Sequence, residues 1–70
     1  MPAYDVIGYF FGSWTVGTRK SPPKSDKVYT RDNVQNWTEV EADNPKDAMV
    51  LGYERIMEAI KNKTIQEVKS

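Results

Sequence analysis

The tetrapeptide Asn44-Pro45-Lys46-Asp47 constrains this chain most, because it sets where a strand stops and the single long helix starts. Asn44 suits the N-cap: its side-chain oxygen accepts from a backbone N–H one turn ahead. Pro45 falls at the first helical position, where a missing N–H costs nothing. Asp47 follows at the third, placing negative charge at the positive end of the helix dipole. Before this junction Trp37 to Ala42 alternates, with Thr38, Val40 and Ala42 on one face and Trp37, Glu39 and Glu41 on the other.

After the junction, a turn of about 100° per residue gathers Ala48, Met49, Gly52, Tyr53, Ile56, Ala59 and Ile60 on one apolar arc. Small residues at 48, 52 and 59 run along its edge and allow a close approach. Val50 and Met57 extend the arc beyond what one small sheet covers, and so mark a self-association contact. Asp47, Glu54, Arg55, Glu58, Lys61 and Asn62 form the polar side, with Leu51 isolated among them. Asn62 and Lys63 provide a stop.

Upstream, AYDVIGYFF (3–11) is a strand rich in aromatic and β-branched residues. Tyr4, Val6 and Phe10 share one face and Ile7, Tyr9 and Phe11 the other, so the strand is central. Gly8 permits a bulge or a close crossing. Trp14 to Val16 continues as a second strand. The segment 17–33 holds two consecutive prolines and five of the ten basic residues, Arg19, Lys20, Lys24, Lys27 and Arg31. It reads as an exposed basic loop with a short edge strand at Lys27–Thr30. Asp32-Asn33 signals a turn, and Thr64–Val68 is a short last strand, parallel to its predecessor if the helix makes a right-handed crossover. The expectation is one α+β domain of order β-β-loop-β-α-β. A mainly antiparallel sheet of three or four strands carries one helix on one face, in a ferredoxin-like, split-βαβ arrangement.

Seventy residues without cysteine or histidine can form neither disulfides nor the usual zinc sites. A core of this size barely offsets chain entropy, and oligomerisation is the remaining common support. Ten acidic and ten basic side chains cancel, which argues against a strongly cationic nucleic-acid coat. The bias is internal: residues 1–33 carry five basic and three acidic side chains, residues 34–70 five and seven. No apolar run reaches the roughly 20 residues a membrane span needs, and no leader pattern opens the chain, so a cytoplasmic setting is expected.

Catalytic parts are missing. Without His or Cys the familiar triads and dyads cannot be assembled. Glu39 with Glu41, and Glu54 with Glu58, read as solvated faces. Glycines 8, 12, 17 and 52 form no phosphate-binding loop. The expectation is therefore no enzyme, no cofactor and no metal. Two surfaces remain. If Val40 and Ala42 face the helix, then Trp37 faces away together with Tyr9 and Phe11, leaving an aromatic patch for a partner. The basic residues of segment 17–33 are candidate phosphate contacts.

The quoted strands carry a resemblance. Tyr4, Val6, Gly8 and Phe10, then Trp37, Thr38, Glu39, Val40, Ala42, Asn44 and Ala48, and more loosely Ile65 and Val68, resemble the archaeal ribosomal protein LX family over about half the chain. That resemblance implies a small sheet with one helix, and rRNA binding from a basic side; this chain is neutral where that family is expected to be basic. The residues themselves point first to a non-enzymatic module, a homodimer of the accessory or phage-regulator kind, that binds or inhibits another macromolecule, with a protein as the expected partner. The alternative is an RNA- or DNA-binding protein using the aromatic face and the basic loop.

Overall fold

The computed structural model describes residues 1–9 and 12–68. Among them the chain forms five strands and one helix: β1 (Ala3–Tyr9), β2 (Trp14–Arg19), β3 (Val28–Arg31), β4 (Gln35–Glu41), α1 (Pro45–Asn62) and β5 (Gln66–Glu67). They build a single sheet of order β2-β1-β4-β3-β5, antiparallel except where β5 joins β3. β1 is interior, as its two apolar faces require, with Val6 opposite Val16 on one side and Thr38 on the other. The α+β class with one helix on the sheet is the expected one.

Period-two alternation decides what the helix covers. Tyr4, Val6, Val28, Thr38, Val40 and Ala42 are buried on the helix side, against Ala48, Gly52, Ile56 and Ala59. Gly52 lets the helix settle onto Val6, leaving no room there for a side chain. Gly8 does the same for a ring: the Trp14 indole lies across it and meets Tyr53 of α1 edge-on, 5.0 Å between centroids. Arg55 ties helix to sheet, donating to the Glu39 carbonyl at 2.8 Å and to the Thr38 hydroxyl at 3.3 Å. The N-cap is as anticipated, with the Asp47 N–H donating to Asn44 Oδ1 at 2.9 Å and Pro45 at the first position.

Four expectations are corrected. β2 runs through Arg19, so the loop between β2 and β3 shrinks to residues 20–27. β3 is no edge strand, because β5 lies outside it. The strands number five, since the pairing of two residues suffices to make β5. That strand runs parallel to β3, and so opposite to β4, which is not the split-βαβ, ferredoxin-like return. The cause is local. Lys63 takes a left-handed cap (φ 58°) that turns the chain at once, and Ile65 drops against Val28, Ile56 and Ala59, leaving an exit only alongside β3.

Candidate interaction surfaces

Alternation sends the other half of each strand to the helix-free face. Register places Trp37 of β4 between Ile7 of β1 and Tyr29 of β3. The Tyr29 ring stacks on Trp37 with centroids 5.8 Å apart and planes 28° from parallel, and the Arg31 guanidinium lies 5.6 Å from the Trp37 ring centroid. Tyr29 is itself held, its hydroxyl 3.0 Å from Ser25 Oγ. The indole is thus held against an aromatic ring and a cation, both carried by β3, an arrangement stabilised by stacking and by the ring quadrupole. Around it lies an open depression of about 320 Å³ lined by Asp5, Ile7, Arg19, Arg31, Gln35, Trp37 and Glu39. Trp37 and Ile7 are half-buried, and Tyr9 at the rim is 40% exposed. Phe11, expected beside them, lies outside the described residues, as does Phe10.

One end of this face is closed by charge. Arg19 donates to Asp5 Oδ1 at 2.8 Å and approaches Glu39 Oε2 at 3.3 Å, while the Lys24 N–H donates to Glu39 Oε1 at 2.6 Å. The Asp5 hydrogen bond raises the Arg19 guanidinium above its ordinary range; the charges of Asp5 and Glu39 add to this, and desolvation opposes it. Two readings change here. Arg19 is not a free basic loop residue but a strand residue engaged with two carboxylates. Glu39, expected in a solvated pair with Glu41, has only 16% of its side chain accessible because Arg19 and the loop cover it.

Lys20, Lys24, Lys27 and Arg31 are exposed, and among the described residues no carboxylate pairs with Arg31. Arg31 does not share one patch with the three lysines, since it belongs to β3 and lies at Trp37. The Tyr29–Trp37–Arg31 cluster was not anticipated, although one signal for it stood in the sequence. Asp32-Asn33 signals the turn, and the loop it opens spans three residues, 32–34, with Asp32 and Asn33 at φ 57° and 58°. Counting back equally from Asn33 puts Tyr29 opposite Trp37 and Arg31 opposite Gln35.

On α1, Val50 and Met57 are 52% and 40% exposed. Tyr53 and Ile60, placed by periodicity on the core-facing arc, are also close to half exposed. The sheet is narrower than the arc, so burial is centred on Ala48, Gly52, Ile56 and Ala59. No group of three or more acidic side chains able to hold a metal occurs among the described residues, and none of their helices is long and apolar enough to cross a membrane. In comparisons with known proteins the chain matches no family model, no curated protein and no solved structure. The likeness to the ribosomal LX family therefore rests on the quoted residues alone.

Proposed function

We propose that this chain is a non-enzymatic binding module of the cytoplasm that captures another protein through the helix-free face of its sheet and works as a homodimer. The observation that carries the reading is the held indole of Trp37. A tryptophan braced by Tyr29 and Arg31 in an open depression loses little side-chain freedom on binding. Braced, partly exposed aromatic and arginine side chains are the usual anchors of protein interfaces. Ile7 and Tyr9 extend the apolar contact, and the uncommitted charge of Arg31 favours an acidic group on the partner beside it. Inhibition would follow where the captured surface is itself an active or docking surface.

The test is capture by immobilised chain from cells of the source organism, with wild type and Trp37→Ala side by side. Trp37→Ala is expected to keep its circular dichroism and cooperative unfolding while losing the retained partner, a cost of about 2–4 kcal/mol in affinity. Equal retention by both forms would remove this face from the interface.

A second reading, RNA or DNA on the same face, is favoured by one observation: Arg31 sits over a ring on which a base could stack and has no carboxylate partner among the described residues. Binding of a labelled oligonucleotide should then fall steeply with salt, and Arg31→Gln should reduce that slope by about one. A flat salt response excludes it.

A further inference from the structure

Four of the five large apolar residues that α1 leaves exposed fall on one line, and Leu51 alone lies on the polar side. Val50, Tyr53, Met57 and Ile60 follow one another at spacings of three, four and three, the repeat of a coiled-coil seam. The residues that α1 buries in the sheet, Ala48, Gly52, Ile56 and Ala59, lie about 120° round the helix from that seam. The seam therefore looks sideways and outward, and Trp14 of β2 supports it from below through Tyr53. One flank is occupied by the sheet. The other carries Asp47, Glu54 and Lys61, each seven residues apart.

We infer that this seam pairs with the same seam of a second copy, the two helices antiparallel across a two-fold axis, with Val50 of each facing Ile60 of the other and Tyr53 facing Met57. The inference rests on the homodimer reading above and specifies its surface and direction. Charge chooses the direction. Antiparallel pairing brings Asp47 of each copy to Lys61 of the other, twice. Parallel pairing turns the flank that carries Asp47, Glu54 and Lys61 on one copy toward the sheet-side flank of the other, so no Asp47–Lys61 pair forms. Antiparallel pairing also brings Glu54 to Glu54 at the two-fold axis, one repulsive contact against two attractive ones. The helix dipoles also prefer the antiparallel arrangement.

Size sets the strength. Val50 to Ile60 spans about 15 Å of helix, well short of a standard interface, so the pair is reversible and micromolar rather than obligate. Such a short seam would not hold two free peptides together. Here each helix is already ordered by its cap and its docking on β1 and β4, so pairing carries little further ordering cost.

The chain has no cysteine, so introduced thiols report without interference. Val50→Cys and Ile60→Cys chains are mixed in equal amounts and oxidised mildly. The expected product is the mixed 50–60 disulfide, in excess over either homodisulfide. Predominant homodisulfides overturn the antiparallel register. Sedimentation at about 100 μM is expected to show wild-type dimer and Met57→Glu monomer with unchanged circular dichroism. A wild-type monomer overturns the homodimer reading as well as the seam. A dimer indifferent to Met57→Glu overturns the seam and leaves self-association standing elsewhere.

Charge reversal gives an independent arm. Lys61→Asp should weaken dimerisation about tenfold, since two facing pairs turn repulsive, and Asp47→Lys/Lys61→Asp together should restore most of it. Asp47 also accepts from Asn44 Nδ2 at 3.1 Å, so its loss weakens the helix start. Recovery in the double variant is the result that damage to the cap alone cannot produce. No recovery overturns the pairing of 47 with 61.

Discussion

Gly52 of α1 rests directly on Val6 of β1, and the volume a methyl group would need at position 52 is already filled by the Val6 side chain. Two effects oppose each other in Gly52→Ala. Helix propensity favours alanine by about 1 kcal/mol, while forcing a methyl into a filled core costs about 1–3 kcal/mol. Val6 is wholly buried in the central strand and has nowhere to go, so packing wins. The expected result is a lower urea midpoint, by a net loss of up to about 2 kcal/mol in stability. Gly17→Ala, where nothing lies within 4 Å, should stay within about 0.5 kcal/mol of wild type.

Gly8 poses the same question with a softer neighbour. A Cβ there would stand 2.6 Å from the far end of the Trp14 indole, which can rotate where Val6 cannot. Gly8→Ala is therefore expected to change near-ultraviolet dichroism and tryptophan emission more than it changes stability, with a loss of about 1 kcal/mol. Unaltered spectra would mean that the ring does not lie across position 8.

The two ends of α1 respond in opposite directions. Asn44→Ala removes the acceptor for the Asp47 N–H and should cost about 1 kcal/mol. Lys63→Gly relieves a non-glycine residue held at φ 58° and should gain about 0.5–1 kcal/mol. Thermal unfolding of both variants checks the pair.

Thr30 is buried, and its hydroxyl has no hydrogen-bond partner among the described residues. Thr30→Val keeps shape and β-branching while removing the orphaned hydroxyl. It should be neutral or stabilising, by up to about 1 kcal/mol in chemical denaturation. A clear loss would show that the hydroxyl is bonded in solution.

Arg19 fastens β2 to β1 and β4, and Glu39 fastens the 20–27 loop through Lys24. Arg19→Gln should lower the denaturation midpoint and speed tryptic cleavage at Lys20, Lys24 and Lys27. The sign of any pH effect follows from the raised guanidinium. A base whose folded pKa is raised contributes fully below its unfolded value and loses that contribution only as pH climbs through the folded one. Arginine's range is far above neutrality. The gap between wild-type and variant midpoints should therefore stay level from pH 6 to 9, and a gap that closes on raising pH would remove the arginine from this role.

Local chemistry made part of this fold legible. Asn44, Pro45 and Asp47 set the helix start, and alternation in β1 and β4 separated the covered face from the bare one. The glycines at 8 and 52 announced close approach without naming Trp14 or Val6 as the neighbours. Failures came where the outcome depends on distant pairing. Gly17 and Thr18 do not read as strand residues, yet they are carried by β1 across from Asp5 and Tyr4. The direction of β5 follows from how Ile65 docks, which no local pattern encodes. Arg19 looked like a loop cation because its partners, Asp5 and Glu39, are 14 and 20 residues away in the chain. Periodicity also overstated the core on α1, since it reports which residues are apolar and not how wide a surface they meet.

Strand order gives the molecule unequal flanks. On one side β5 shields Tyr29 and Thr30 of β3; on the other, β2 ends the sheet with its outer amides and carbonyls unmatched by any described strand. Of the two borders, β5 offers only Gln66–Glu67, and the longer template is Trp14–Arg19, a bare run interrupted by Gly17 and ending next to Lys20. A glycine and cationic neighbours are poor templates for stacking strand upon strand. The border most open to fibrillar growth thus carries its own deterrent.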